Sequence, residues 1–114
     1  MANTFKLVTK AGVTSSDVIY TPDSVTTVIL GLILGNTTSS QVTATVSLAS
    51  TTSARAGDND EANQTVELIT NTPIPAGSSL ELLGGNKVVM ENNDALSVSA
   101  SGSTDVALSI MEIS

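Results

Sequence analysis

Histidine, cysteine and tryptophan are absent from this chain, and phenylalanine and tyrosine occur once each, as Phe5 and Tyr20. Without imidazole the usual general base near neutral pH is missing. Without thiol the strongest side-chain nucleophile and the soft metal ligands are missing too. A disulfide or a cysteine-based metal staple is excluded on the same ground. The shortage of rings leaves the core to aliphatic side chains, since each large ring would bury roughly 150 Å² or more. Basic residues are also few: Lys6, Lys10, Arg55 and Lys87 stand against 11 acidic residues, for a net charge of −7. Such a surface repels phosphate backbones and anionic lipids, so no nucleic-acid partner and no membrane partner is expected. The longest apolar run, residues 28–34, contains Gly31 and is far short of the roughly 20 residues that cross a bilayer as a helix. The opening residues Met1-Ala2-Asn3-Thr4-Phe5-Lys6 show no basic region followed by an apolar stretch, so synthesis in the cytoplasm without a secretory leader is expected.

What the chain does have is hydroxyl: 16 Thr and 16 Ser spread among short Val, Ile and Leu runs. Residues 41–48 put Val42, Ala44, Val46 and Leu48 on one side and Thr43, Thr45 and Ser47 on the other, the period of two that marks a half-buried strand. Residues 26–34 are apolar on both faces, which suits a central strand covered twice or one that also meets a neighbouring subunit. Residues 95–100 alternate again, and residues 105–113 align Val106, Leu108 and Ile110 against Met111 and Ile113. The turn residues 35–40 and 101–104 each predict a hairpin between flanking strands. Weaker strands are expected at 5–8, 17–20, 65–69, 79–83 and 87–90, with a tight turn at Gly84-Gly85-Asn86. Pro73 and Pro75 predict an extended connection, where missing N–H donors break a ladder. Turn signals recurring every eight to twelve residues fit an all-β antiparallel sandwich, jelly-roll or immunoglobulin-like, of about eight strands. The 114 residues make one such domain, 1–114, with a thin core that subunit contacts would supplement.

The polar stretch 49–64 reads as the longest exposed loop, with Arg55, Asp58, Asp60 and Glu61 as its candidate interaction residues. Asp58-Asn59-Asp60-Glu61 begins like a calcium loop, but positions five, six and twelve are Ala62, Asn63 and Ile69 instead of Asp or Asn, Gly and Glu. Glu91-Asn92-Asn93-Asp94 reads as a β-turn. Gly84 to Lys87 lacks the glycine spacing, the following hydroxyl and the helix of a phosphate loop. Asn36-Thr37-Thr38 and Asn63-Gln64-Thr65 match the glycosylation sequon without a leader to reach that machinery. No catalytic residue, metal or cofactor is assigned, and no enzyme activity is expected.

The runs Thr72-Pro73-Ile74-Pro75-Ala76-Gly77-Ser78-Ser79-Leu80-Glu81-Leu82, Gly84-Gly85-Asn86-Lys87-Val88-Val89 and Asp94-Ala95-Leu96-Ser97-Val98-Ser99-Ala100 resemble small virion proteins of tailed bacteriophages. Val18-Ile19-Tyr20-Thr21, Val28-Ile29-Leu30-Gly31 and Asn36-Thr37-Thr38 fit the same likeness, which is one of phrasing and strand order over most of the chain. The resemblance implies a compact β-sandwich present in many copies on a virion and made in the host cytoplasm. It implies a non-enzymatic capsid decoration or cement protein, with copies of itself and the major capsid or other virion proteins as partners; a homotrimer is the expected self-assembly. The alternative it implies is a receptor-binding or adhesion module of the tail, neck or baseplate. Val28, Leu30, Leu32, Leu34, Ile110 and Ile113 are the expected subunit contacts, with plain core burial as the competing reading of each.

Overall fold

The computed structural model describes residues 2–53, 57 and 61–114. These form nine strands: β1 (Asn3–Val13), β2 (Ser16–Tyr20), β3 (Thr26–Asn36), β4 (Val42–Ala49), β5 (Val66–Ile74), β6 (Ser79–Leu82), β7 (Val88–Met90), β8 (Ala95–Ala100) and β9 (Thr104–Ile113). They stack as two antiparallel sheets, one ordered β1-β9-β3-β6 with β7 also on β3, the other β2-β8-β4-β5. β6 pairs with residues 32–35 of β3 and β7 with residues 27–29. The two short strands therefore share one position, end to end along β3. Counted by position the sandwich has eight places, and successive strands change sheet at most connections. That is the winding of a jelly roll. The break in the eighth place falls at Leu83, whose φ of 63° lies in the left-handed region that bulky side chains rarely adopt.

Alternation sets the inner faces. Val42, Ala44 and Val46 on β4 meet Leu96 and Val98 on β8 in one layer, against Ile29, Leu32 and Leu34 on β3 and Val106, Leu108 and Ile110 on β9 in the other. The core is aliphatic, with Tyr20 packed at its margin, as a chain of two rings requires. β3 holds its inward set through a register shift between Ile29 and Gly31, so that Thr27, Ile29, Leu32, Leu34 and Asn36 are all buried. A bulge does this by adding one unpaired residue.

The expected hairpins at 35–40 and 101–104 are instead arches between sheets. β3 and β4 lie in different layers, as do β8 and β9. Asn36 supplies the reason at the first arch. Its buried amide donates to the carbonyls of Ser40 at 2.8 Å and Ile74 at 2.9 Å, and its Oδ1 accepts from the Thr38 N–H at 2.9 Å and the Thr38 hydroxyl at 2.8 Å. One side chain thus folds the connection over the end of the core and ties it to β5. At the second arch the Ser101 N–H donates to the Thr43 carbonyl at 2.9 Å, holding the chain to the sheet it is leaving. The turn at Gly84-Gly85-Asn86 joins collinear β6 and β7 rather than reversing the chain. β5 runs through Pro73, opposite Thr43, because β5 is an edge strand and its outer side needs no donor.

Candidate functional site

The feature that stands out is the outer face of the β1-β9-β3-β6/β7 sheet. The register aligns its outward side chains in rows across the strands. Asn3, Ile113 and Thr26 form one row, Phe5, Met111, Val28 and Val89 the next, Leu7, Ser109 and Gly31 a third, and Thr9, Ala107, Ile33 and Glu81 a fourth. An antiparallel sheet with one face on a core normally turns polar residues to water on the other. Here Phe5 is 71% exposed, Leu7 66%, Val89 60% and Ile33 44%, and within these four rows Glu81 is the one charged side chain. This contiguous apolar patch is the candidate contact surface.

β1 explains how the patch arises. Its residues opposite the buried Ile110, Leu108 and Val106 of β9 are Lys6, Val8 and Lys10, while Phe5, Leu7 and Thr9 stand on the other side. Phe5 and Leu7 of this edge strand face outward, while Lys6 and Lys10 share the inward side with Val8, which packs against the core, and both lysines keep their exposure to solvent. Lys6 is accommodated by Glu112, at 2.8 Å. Glu112 also accepts the Tyr20 hydroxyl at 2.6 Å, and that hydroxyl lies 2.8 Å from Thr27 Oγ1. This chain of four polar groups links β1, β9 and β3 of one sheet to β2 of the other. The hydrogen bond from Lys6, followed by that from Tyr20, holds the Glu112 carboxyl below its ordinary value. Burial, reinforced by the Glu112 hydrogen bond, pushes the Tyr20 phenol up to about 12. At β1's far end Gly12, at φ 67°, donates its N–H to Asp105 Oδ1 at 2.9 Å, and this fixes the register shift between Lys10 and Val13.

The six residues expected as subunit contacts divide by face. Leu32 and Leu34 are fully buried and Ile110 is 1% exposed, so these three are core and out of reach of another chain. The bulge between Ile29 and Gly31 turns Leu32 and Leu34 to the inner side while Val28 faces outward, and alternation along β9 puts Ile110 on the inner side. Val28 and Ile113 lie in the outward rows, and Leu30 sits at the bulge; all three are half-buried. Met111, within the terminal stretch 110–113, completes the surface together with Phe5, Leu7 and Val89, and these last three were not singled out from the sequence. The signal available was the alternation Phe5-Lys6-Leu7, whose apolar side is assigned inward by default.

Of the expected loop residues, Arg55, Asp58 and Asp60 lie outside the described residues. Glu61 is exposed and accepts from Gln64 Nε2 at 3.4 Å. The base of this loop borders a cleft of about 660 Å³ between β4, β5 and β7, with Leu48, Val66, Val88 and Met90 among its walls and Asn63, Glu91 and Asp94 among its polar lining. The Asp94 carboxylate is committed to the backbone, accepting the Thr51 N–H at 3.1 Å and the Glu91 N–H at 2.9 Å. That cap closes the turn at residues 91–94, as the sequence predicted. Among the described residues no group of three or more acidic, His or Cys side chains stands close enough to hold a metal, and no helix is long and apolar enough to cross a membrane.

No protein-family model matches this chain, and no curated protein matches it significantly. Among solved structures, one from Bacillus endospore appendages, described as a novel family of disulfide-linked pili, shares 14% identity over 96% of this chain and 85% of its own length, with a TM-score of 0.46. A chain of the T13 particle of infectious bursal disease virus shares 10% identity over 96% of this chain and 35% of its own, with a TM-score of 0.36. At these values the likeness is one of β-rich chain path alone.

Proposed function

We propose that this protein is a non-enzymatic structural subunit of a particle, and specifically a capsid decoration or cement protein of a phage virion. One observation carries the reading: a rigid jelly roll presents an uncovered apolar sheet face with the row Phe5, Met111, Val28 and Val89 at its centre. A cement subunit works by adhesion. Burying roughly 25 cal/mol per Å² of apolar surface at each contact, and repeating that contact in many copies, converts modest single affinities into a stable shell. Its partners in this reading are other copies of itself and the major capsid or other virion proteins, and its place is the virion. The net charge of −7 disfavours nucleic acid and anionic membrane as partners.

Quantitative mass spectrometry of purified virions from the source, paired with heat release of packaged DNA, tests this. The expected result is the chain at high copy number, with particles that lack it losing DNA at lower temperature. Absence from purified particles overturns the reading. The cleft of about 660 Å³ beside the loop favours a second reading, an adhesion module of tail, neck or baseplate. Shortening the loop within residues 53–61 separates the two. Lost host attachment on intact particles supports adhesion, and unchanged attachment with unchanged particle stability supports cement through the sheet face.

A further inference from the structure

We propose that the outer face of the β1-β9-β3-β6/β7 sheet is a self-association surface of two-fold symmetry, on which a second copy of this chain docks face to face. This rests on the reading of that face as the contact surface, and it names the partner and the symmetry. The rows themselves supply the argument. Taking Leu7, Ser109 and Gly31 as the middle row, the row two residues to one side carries bulky Phe5 and Met111, and the row two residues to the other carries small Thr9 and Ala107. The rows are about 6.6 Å apart at the rise of a strand. A half-turn about an axis along the middle row lays Phe5 over the partner's Thr9 and Met111 over the partner's Ala107, and does so twice. On β1 and β9 large side chains then meet small ones, which is how facing layers interdigitate, while on β3 Val28 meets the partner's Ile33, aliphatic on aliphatic, and at the sheet's edge Val89 meets the partner's Glu81. The small row is a real depression: Thr9, Ala11, Ile33, Gly35, Asp105 and Ala107 line a hollow of about 330 Å³.

Gly31 bears on the same face. It lies in the interior of a central strand, its φ is not among the positive ones, and a Cβ built on it meets nothing within 4 Å. Glycine weakens a strand interior, and here it directly follows the bulge of β3 between Ile29 and Gly31, one setting in which strands carry it. Close approach of another backbone is a reason for glycine in such a place, and Gly31 lies on the proposed axis, where two copies come nearest. Area agrees. Four strands about 4.8 Å apart and about ten residues long present a plane of roughly 600 Å², and the corrugated surface exceeds that plane. This approaches the roughly 800 Å² per partner of a standard interface. The sparse charge of the four rows on a chain of net charge −7 is the composition of an interface centre. The sequence led to an expected homotrimer. A patch that complements itself by a half-turn is isologous and closes at two copies.

Sedimentation equilibrium of the whole protein, from micromolar to near-millimolar, reads this directly. The expected mass is twice 11.5 kDa, with tighter association at higher salt because screening removes the repulsion between acidic copies. Gly31→Val is expected to weaken the pair about tenfold or more while leaving melting of the dilute monomer unchanged or higher, since valine suits a strand. Met111→Ala is expected to weaken it similarly, and adding Ala107→Met to recover most of the loss, because the half-turn brings these two positions together. Val18→Asp, at an exposed position of the other sheet, should leave the pair intact. A monomer at every concentration, a trimer, or a dimer indifferent to Gly31→Val and to the exchange of positions 107 and 111 overturns the proposal. A monomer that is nonetheless abundant in virions overturns the pair and spares the particle reading. A dimer absent from virions does the reverse.

Discussion

The two sheets bury similar aliphatic layers and turn opposite kinds of surface outward. On the β2-β8-β4-β5 sheet the outward rows are Ser16, Ser99 and Thr45, then Val18, Ser97, Ser47 and Glu67. On the β1-β9-β3-β6/β7 sheet they are the Phe5 and Leu7 rows already described. The first is the hydroxyl surface expected of a half-buried antiparallel sheet in water. The second repeats the chemistry of a core on the outside. The chain has Ser and Thr in plenty, so the aliphatic face does not arise from a shortage of polar residues. The apolar count of the whole chain hides this face because the average of the two faces looks ordinary.

The largest expected effect tests the boundary between inner and outer sides of β3 itself. Leu32→Ala, at a fully buried site, should cost about 2–5 kcal/mol through lost burial and the cavity left behind. Its neighbour Ile33 points outward, and Ile33→Ala should lie within about 0.5 kcal/mol in dilute monomer. Urea unfolding of both variants checks the pair, and equal losses would break the assignment of faces.

Next in size is Asn36, which holds the arch between the sheets. Asn36→Leu removes the donors to the Ser40 and Ile74 carbonyls and the acceptor for Thr38, and each buried group left without a partner costs about 1–3 kcal/mol. Loss of stability with an unchanged β-sheet circular dichroism spectrum is expected. A stability equal to wild type would show that water replaces the side chain.

Smaller still is the pH response of the polar chain that joins the sheets at Lys6, Glu112, Tyr20 and Thr27. Glu112 is held below its ordinary value in the folded protein, so its contribution is present above the usual carboxylate range and is lost as pH falls through the lowered folded value. Tyr20 is raised to about 12, so its contribution is intact below about 10, the phenol's ordinary value, and disappears as pH climbs toward 12. Thermal melts across pH should show a plateau between these limits. Glu112→Gln should flatten the acid limb and leave the alkaline limb of Tyr20 smaller, since burial remains as its principal cause. The Glu112 partner Lys6 is 54% exposed, so solvent screening keeps this effect modest.

The sequence made the strand layers legible and the path between them illegible. Val42 through Leu48 and Ala95 through Ala100 announce a period of two, and that period survives in the structure as buried and outward sets. Whether residues 35–40 reverse a chain within one sheet or carry it to the other depends on where Asn36 finds its partners. Ile74 is one of them, 38 positions away, and no local pattern contains that distance. The site was half visible for a related reason. Val28, Leu32 and Leu34 were grouped by a period of two, but the bulge between Ile29 and Gly31 turns the last two into the core and leaves Val28 outward, and no pattern in an apolar run announces such a bulge. Phe5 and Leu7 were missed because on β1 they stand outward while Lys6 and Lys10 share the inward side with Val8, and the ion pair to Glu112 that accommodates Lys6 joins residues 106 positions apart.

The smallest expected effect on stability is also the sharpest separation of the two faces. Phe5→Ser and Val18→Ser each replace a well-exposed apolar side chain with a hydroxyl, one on each sheet, and neither removes buried surface from the single molecule. Both should melt within about 0.5 kcal/mol of wild type when dilute. They should part company at high concentration. Val18 stands in a row with Ser97, Ser47 and Glu67, where one more hydroxyl changes nothing, whereas Phe5 opens the row that continues through Met111 and Val28 to Val89. Light scattering should therefore show weaker association for Phe5→Ser and wild-type behaviour for Val18→Ser. Equal behaviour of the two would mean that the aliphatic face is no stickier than the hydroxyl one, and the distinction between the sheets would reduce to composition without consequence.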